Sequence, residues 1–519
     1  MNLRITGFFG LWMTSLSIAV FALPADDLRL LNAVKNQDQQ TARALLDEHV
    51  DVNASQPDGG TALSWAAYWD DQQLADLLIR AGANVNSANV YGVSPLSLAC
   101  TNASAPMIEK LLQAGGDPNI AQVTGETPLM TCAKTGNMAA VKLLVDHKAN
   151  VNAKASERGQ TALMWAAAGK FGSVVQLLAE GGADVNGQTV GGFTVLMFAA
   201  QSGDLESARV LLAKGADPKT IAPKFGNALT VASASRNEAV ALFLLEKGAD
   251  PNVEDASGVT ALHYSVAQGI ADITSIAPTA AFDPFYKVRP SNMHELTKAL
   301  LAHGANPNAR IKKTLMTFGT TVGLHGESAP SMVGATAFFL AAVCADVDLM
   351  KILLEAGTDP RLPSVGVSTI ALTGNINTTP LMAAAGGVFD AFRPEEEKKR
   401  AVEAVKLLVE LGADIDETNA SGQTPMHAAA FTGNTAMVQF LADRGAKINV
   451  KARNGETPWS MASGISPSSM NAAFWTVQKD TLNLLVKLGA TPMTPDEIEA
   501  LKRGELGGGG SYGARRPAK

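Results

Sequence analysis

The chain has 519 residues, of which 46% are hydrophobic but only 6% aromatic, and a formal net charge of −7. A chain of this length ordinarily folds into several globular domains. Its lysines and arginines form no cluster or stripe. Because nucleic-acid binding depends on clustered positive charge, we expect no nucleic-acid partner.

The N-terminus has the pattern of a secretory signal. Arg4 precedes an apolar run from Phe8 to Ala22, and Ala22 and Ala25 are small residues suited to cleavage. The run is shorter than the about 20 apolar residues of a membrane-spanning helix and fits the core of a signal peptide. We predict a cleaved signal peptide over 1–25, with an uncleaved anchor as the alternative. No other segment could cross a membrane, so we expect no membrane association after cleavage.

A unit of 33 or 34 residues repeats along the following sequence. Several units open with Thr-Pro-Leu or Thr-Ala-Leu, and the units continue through Ala-Ala or a similar pair of small residues, a Leu-Leu pair and a glycine. Threonine can cap a first helix, proline suits its first turn, and the glycine can end a second helix. The glycine, or the residue in its place, recurs at Gly82, Gly115, Lys148, Gly182, Gly215 and Gly248. The pattern predicts stacked helix–turn–helix units.

This unit resembles the ankyrin repeat. The family's Thr-Pro-Leu-His opening is matched most closely by Thr260-Ala261-Leu262-His263 and Thr424-Pro425-Met426-His427. The resemblance implies an all-α ankyrin-repeat solenoid of about 11–12 helix–turn–helix units. We assign the solenoid to 26–492, with regular repeats over 26–273, insertion-bearing repeats over 274–412 and terminal repeats over 413–492.

Long loop insertions interrupt the period in the C-terminal half. The extra residues lie at 274–292, 311–334, 362–399 and 465–478. The insertions between the helices of a pair carry aromatic residues, namely Phe282, Phe285, Tyr286, Phe389, Phe392, Phe474 and Trp475. Insertions in solenoids often map to the binding face. The alternative is that these aromatic side chains fold back and cover the helices beneath them.

The segment 493–519 is predicted to hold a short helix and a flexible tail. Thr494 and Glu497 have the spacing of a capping box, and Pro495 suits the first helical position. The helix should end near Arg503. The glycine-rich stretch from Gly507 indicates a flexible linker.

The three cysteines show no metal-ligand or redox-motif spacing, and an odd number cannot all be paired. Cys100 and Cys132 lie beside or within Ala-Ala positions, so we interpret both as small buried hydrophobic residues. Cys344 falls where the repeats place outward-facing residues. It is therefore the stronger candidate for a reactive thiol.

The resemblance implies a protein-binding site. Ankyrin-like proteins generally bind through the fingers between repeats and the outward residues of the inner helices, which line a concave surface. The matching positions here are Tyr68, Trp69, Asn102, Lys134 and Phe431 on inner helices and Tyr91, Arg158 and Phe193 in fingers. Tyr68 and Trp69 form the strongest pair because these residue types dominate interface energetics. Trp65 and Trp165 match a position that packs between repeats.

The sequence carries none of the common catalytic or nucleotide-binding motifs. His263 and His427 occupy the repeat's own histidine position, where the family uses it to tie turn to helix. We therefore predict no enzyme activity, no cofactor and no metal site. The alternative is an enzyme or small-molecule binder with a site built by the insertions at 274–399 and 465–478. Its only candidate residues are His294, Glu295, His325 and Asp390.

These inferences together predict an exported, monomeric scaffold that binds a protein partner of unknown identity. The signal peptide favours a periplasmic or secreted location. A secreted effector directed at another cell is a further alternative.

Overall fold

The structure, a computed structural model, describes residues 27–268, 289–313, 333–365, 377–387, 394–419, 421–465, 477–503 and 505–506. Within these residues nearly all regular structure is α-helical, and the helices form antiparallel pairs. The chain divides into two compact units, 1–150 and 151–519. Each described pair consists of an inner helix and an outer helix, and from the second pair onward a finger precedes the inner helix.

The first unit contains four described helix pairs. Its inner helices are α1 (Arg29–Lys35), α3 (Ala62–Tyr68), α5 (Pro95–Thr101) and α7 (Pro128–Thr135). Its outer helices are α2 (Gln39–Asp47), α4 (Gln72–Arg80), α6 (Ala105–Gln113) and α8 (Met138–Asp146). Each inner helix packs on its own partner, and α1, α3 and α5 also pack on the inner helix of the next repeat.

The second unit contains eight described helix pairs and a final helix. Its inner helices are α9 (Ala162–Ala168), α11 (Val195–Ser202), α13 (Ala228–Ala234), α15 (Ala261–Val266), α17 (Ala337–Val343), α19 (Pro380–Met382), α21 (Pro425–Phe431) and α23 (Pro458–Ala462). Its outer helices are α10 (Gly172–Glu180), α12 (Leu205–Ala213), α14 (Glu238–Glu246), α16 (His294–Ala302), α18 (Val347–Glu355), α20 (Glu395–Glu410), α22 (Thr435–Asp443) and α24 (Lys479–Lys487). A π-helical turn over Ala383–Gly387 continues α19. These pairs confirm the predicted all-α repeat solenoid.

The inner helices begin where the sequence places a capping residue. Thr61 adopts an extended backbone and accepts a hydrogen bond from the N–H of Ser64, and Thr127 caps α7 in the same way. Such a cap contributes about 1 kcal/mol to helix stability. Pro128 then occupies the first position of α7, where its missing N–H removes no helical hydrogen bond.

The core lies between the inner and outer helices and between successive repeats. The Ala-Ala pairs are fully buried, as at Ala66 and Ala67, and their small side chains let neighbouring inner helices approach closely. In the outer helices at least one leucine of each pair points to the core, as Leu78 and Leu144 do. The buried stripe repeats because the 3.6-residue period returns these positions to one face.

A ladder of asparagine side chains links most described repeats to the next. The Asn53 amide donates to the carbonyl of Gly82 (3.2 Å), and its oxygen accepts from the N–H of Asn84 (2.7 Å). The same two bonds are made by Asn86, Asn119, Asn152, Asn186, Asn252, Asn308 and Asn449. These asparagines lie in the turns that follow the outer helices. The structure shows that they also satisfy the carbonyl at the end of the next outer helix.

The described ends of the insertions are short and ordered. After α15, strand β1 (Ala267–Gln268) pairs antiparallel with β2 (Arg289–Pro290), with Ala267 opposite Pro290. This two-residue ladder lies at the base of the predicted 274–292 insertion. The aromatic residues predicted for the insertions lie outside the described residues, as do His325 and Asp390.

The predicted C-terminal helix is confirmed as α25 (Pro495–Lys502). The N–H of Glu497 donates to the Thr494 hydroxyl (3.3 Å), and the N–H of Thr494 donates to the Glu497 carboxylate (2.9 Å). This is the reciprocal pair of bonds that defines a capping box. Across the described residues, no helix combines the length and apolar character needed to span a bilayer.

The structure corrects the interpretation of all three cysteines. Cys100 and Cys132 form a disulfide between α5 and α7, with their Cα atoms 4.7 Å apart. They are buried, as predicted, but they are paired. Their sequence separation of 32 residues is close to one repeat, and stacking brings such positions together on adjacent inner helices. Cys344 is buried rather than outward-facing, because it ends α17 at a turn that packs against the core.

Candidate protein-binding surface

Three aromatic side chains meet at the C-terminal end of α3. The Tyr68 ring lies edge-on to Trp69 at a centroid distance of 4.8 Å and to Trp65 at 5.6 Å. The rings of Trp65 and Trp69 are stacked at 6.4 Å. We call these three residues the aromatic cluster. Tyr68 is 49% exposed and Trp69 43% exposed, whereas Trp65 is half-buried beneath them.

Helix α1 holds the aromatic cluster in place. The indole N–H of Trp69 donates to the carbonyl of Lys35 (3.3 Å). The ammonium of Lys35 lies 5.0 Å from the centre of the Trp65 ring, within the range of a cation–π contact. The exposed rings therefore have a fixed orientation, which lowers the entropy lost when a partner binds.

Carboxylates line the turns beside the aromatic cluster. Asp70 follows Trp69 directly and is exposed. Asp71 caps α4 through the N–H of Leu74 (3.0 Å) and also accepts from the Gln39 amide (2.6 Å), which links it to the first helical turn of α2. In that turn the hydroxyl and N–H of Thr41 hold the pKa of the Asp38 carboxyl below its usual range. This edge of the first unit is acidic.

The fingers of the first unit pair with one another through their backbones. The N–H of Val90 donates to the carbonyl of Asp58 (2.8 Å), and the N–H of Val123 donates to the carbonyl of Tyr91 (3.0 Å). The Tyr91 side chain is 62% exposed, and those of Val90 and Val123 are exposed beside it. The sequence analysis identified Tyr91 but missed the two valines. Their common position two residues before the finger glycine is a signal that could have found them.

A finger of the second unit repeats this arrangement. The N–H of Val190 donates to the carbonyl of Arg158 (3.0 Å). Both side chains are exposed, so Arg158 lies on the surface as predicted.

The structure places the other inner-helix candidates of the first unit on the surface. Lys134 is exposed at the end of α7. Asn102 is also exposed, but its amide donates to the carbonyls of Ala67 (3.0 Å) and Tyr68 (2.8 Å). Asn102 therefore closes the C-terminal end of α3 and positions the backbone that carries Tyr68.

Two predicted binding residues are not on the surface. Phe193 is 4% exposed, because its ring packs edge-on against Phe198 (4.8 Å) and against Phe225 of the next finger (5.0 Å). Phe431 is 9% exposed at the end of α21. The repeat pattern predicts where a residue lies within its unit. A large apolar side chain at such a position can still turn into the core when neighbouring residues leave space for it.

Two buried histidines tie turns to helices, as the resemblance implies. The Nδ1 atom of His263 accepts from the N–H of Thr260 (3.1 Å), and its Nε2 atom lies 3.1 Å from the carbonyl of Ala309. His427 makes the equivalent bonds to Thr424 and Glu456. Burial lowers the pKa of each histidine to about 4, so both are neutral at pH 7. Neither faces solvent as a catalytic base would.

The residues of the alternative enzyme hypothesis do not form a described site. The Nε2 atom of His294 lies 3.0 Å from the carboxylate of Asp346, which also caps α18 through the N–H of Leu349. Glu295 bonds to Lys298 on the same helix (2.9 Å). Across the ranges that the structure describes, no three His, Cys, Asp or Glu side chains are grouped to hold a metal ion.

Comparison with protein families agrees with this architecture. A family model described as ankyrin repeats (3 copies) matches residues 30–122, 96–189, 156–222 and 196–276. A second, described as ankyrin repeats (many copies), matches 397–442. Together these matches cover more than half of the sequence. The chain belongs to the ankyrin repeat family.

Individual ankyrin-repeat relatives cover parts of the chain. An ankyrin repeat protein of fowlpox virus (strain NVSL) is 28% identical over 185 residues, which are 34% of this chain and 88% of that protein. The inactive serine/threonine-protein kinase TEX14 of Bos taurus is 36% identical over 72 residues, 14% of this chain and only 5% of that protein. Among solved structures, the human ASB11 ankyrin repeat domain matches at 25% identity with a TM-score of 0.38, covering 41% of this chain and 96% of that one.

Membership of the ankyrin repeat family gives the general role of the chain. Ankyrin repeats indicate a protein–protein interaction scaffold, and the fold is typically a non-enzymatic binding scaffold. The ankyrin-repeat surface described above supplies what such a role requires: exposed aromatic side chains held rigidly on packed helices.

Proposed function

We propose that this ankyrin-repeat chain is an exported scaffold that binds a protein partner through the inner helices and fingers of its first unit. The aromatic cluster and Tyr91 are the anchors. The observation that carries the proposal is the exposure of Tyr68, Trp69 and Tyr91 in a chain with only 6% aromatic residues. Exposed, rigid tyrosine and tryptophan side chains are typical of interface hot spots.

Two features support export to the periplasm or beyond the cell. The sequence of 1–25 has the pattern of a cleaved signal peptide. Cys100 and Cys132 form a disulfide, and disulfides persist mainly in oxidising compartments. Fractionation of cells that express the chain would distinguish a periplasmic location from release into the medium.

The test is affinity capture by the mature protein from its own envelope fraction, followed by mass spectrometry. We expect the double variant Tyr68→Ala, Trp69→Ala to lower the affinity for the captured partner at least about ten-fold, as loss of a hot spot does. Its thermal stability should change little because both side chains are about half exposed. Tyr91→Ala should weaken capture independently.

The matched control is Val190→Ala with Ile221→Ala, which truncates exposed apolar side chains in fingers of the second unit. This control should capture the partner as well as the unmodified protein does. Unchanged capture by the Tyr68, Trp69 variant would refute the proposal. So would a parallel loss of stability and capture, since it would show that the pair belongs to the core.

A further inference from the structure

The chemistry of the aromatic cluster points to the kind of segment that it receives. We infer that the partner presents lysine or arginine side chains to Tyr68 and Trp69, with Asp70 as the neighbouring counter-charge. This inference rests on the proposed function and specifies the partner's chemistry. It does not depend on the identity of the partner.

The surroundings of the exposed rings carry negative charge. Asp70 follows Trp69 and is exposed. Asp38 and Asp71 cap α2 and α4, and the hydrogen bond from Gln39 to Asp71 links these two helix starts. Across residues 27–150 the sequence has thirteen acidic and eight basic residues. An acidic rim attracts cations and disfavours acidic partners, because like charges brought together at an interface are costly.

Aromatic rings next to carboxylates can together bind a cationic side chain. A guanidinium or ammonium over a tryptophan or tyrosine ring is attracted by the ring's quadrupole. A nearby carboxylate adds a charge-assisted hydrogen bond. A purely apolar segment would use the rings but would leave the carboxylates beside it partly desolvated and unpaired, which costs free energy.

The cluster already makes one contact of this kind within the chain. The Lys35 ammonium lies 5.0 Å from the centre of the Trp65 ring, the most buried member of the cluster. The exposed surfaces of Tyr68 and Trp69 remain accessible to a second cation. Lys35 belongs to α1, and its ammonium lies over the half-buried Trp65 ring. The exposed faces of Tyr68 and Trp69 are therefore left for the partner.

The test uses two dodecapeptide probes of Gly-Ser sequence, one with four arginines and one with four glutamines at the same positions. Binding to the mature protein is measured by fluorescence anisotropy at low and at physiological salt. We expect the arginine peptide to bind and the glutamine peptide to bind about two- to five-fold more weakly, the factor that one exposed cation–π contact gives. Higher salt should weaken only the arginine peptide.

Three variants assign that binding to the surface. Tyr68→Leu with Trp69→Leu keeps apolar side chains but removes the π faces, and should weaken the arginine peptide about five-fold. Asp70→Asn should weaken it about two-fold. Asparagine tolerates the left-handed backbone at this position, where φ is 54°. Asp47→Asn makes the same charge change on the exposed end of α2 and should have no effect.

Equal binding of the two peptides, or full binding of the arginine peptide by the leucine variant, would overturn the inference. An equal loss in Asp47→Asn and Asp70→Asn would also overturn it, because it would reveal attraction to net charge alone. The proposed function fails separately, when the alanine double variant captures its partner normally. If the leucine variant captured the partner while the alanine variant did not, the scaffold role would stand and the cationic partner would be excluded.

Discussion

At the scale of single residues, the asparagine ladder shows how one side chain serves both a turn and a repeat contact. Asn186 donates to the carbonyl of Gly215 and accepts from the N–H of Asp217. Three repeats lack this residue, because Lys219, Arg361 and Asp416 occupy the ladder position. The Asp416 carboxylate accepts from the N–H of Lys447 (2.9 Å) but has no N–H to donate. A lysine or arginine has no acceptor atom and cannot make both bonds.

Restoring the ladder should stabilise the second unit. We expect Lys219→Asn to raise the free energy of unfolding by about 1–2 kcal/mol, because it adds up to two hydrogen bonds. Asn186→Ala should lower that energy by a similar amount. Urea unfolding followed by circular dichroism measures both changes. Lys219→Ala is the control for removal of the lysine, and a stabilisation equal to that of Lys219→Asn would contradict the explanation.

At the scale of elements, the first unit depends on inner helices that stack at close range. The disulfide between Cys100 and Cys132 joins α5 and α7, one repeat apart, beneath the exposed ends of these helices. It restricts the unfolded chain and leaves the folded packing unchanged. The bond therefore stabilises the repeats that carry Asn102 and Lys134, next to the aromatic cluster.

Loss of this disulfide should destabilise the first unit. For a sequence separation of 32 residues, chain entropy predicts a loss of about 3–4 kcal/mol. We expect Cys100→Ala with Cys132→Ala to show this loss in urea unfolding, and reductant to have no further effect on the variant. The Cys344→Ala variant tests whether the reductant changes stability through Cys344 rather than through the disulfide. Unchanged stability after reduction of the native protein, with thiol titration confirming reduction, would contradict the prediction.

At the scale of the whole molecule, stability depends on pH through buried groups with opposing effects. His263 has a pKa of about 4 in the folded chain against 6.5 in the unfolded one. Its contribution to the free energy of unfolding is therefore lost as pH falls from 6.5 to 4. Burial, with a smaller effect from Asp414, raises the pKa of Glu417 from 4.5 to about 7. The contribution of Glu417 to the free energy of unfolding is present below pH 4.5 and is lost as pH rises to 7.

Two glutamine variants should separate these effects. Relative to the native protein, the stability of His263→Gln should improve as pH falls from 6.5 to 4, since the variant has no histidine to protonate. Relative to the same reference, Glu417→Gln should improve as pH rises from 4.5 to 7. Thermal unfolding across this range measures both differences. If the stability difference from the native protein changed with pH in the same direction for both variants, burial would not be what sets these pKa values.

The sequence by itself determined the repeat, the order of inner and outer helices, and the caps at Thr127 and Thr494. These features depend on local periodicity and capping, which neighbouring residues encode directly. The family resemblance also identified Tyr68, Trp69, Tyr91 and Arg158 as surface residues, but the same reasoning placed Phe193 and Phe431 there, and both are buried.

Only the tertiary structure decided which side chains meet across repeats. It paired Cys100 with Cys132, turned Phe193 against Phe225, and joined the asparagines into a ladder. Each of these contacts joins residues about one repeat apart. Their formation depends on the distance and rotation between stacked repeats, which no single repeat encodes.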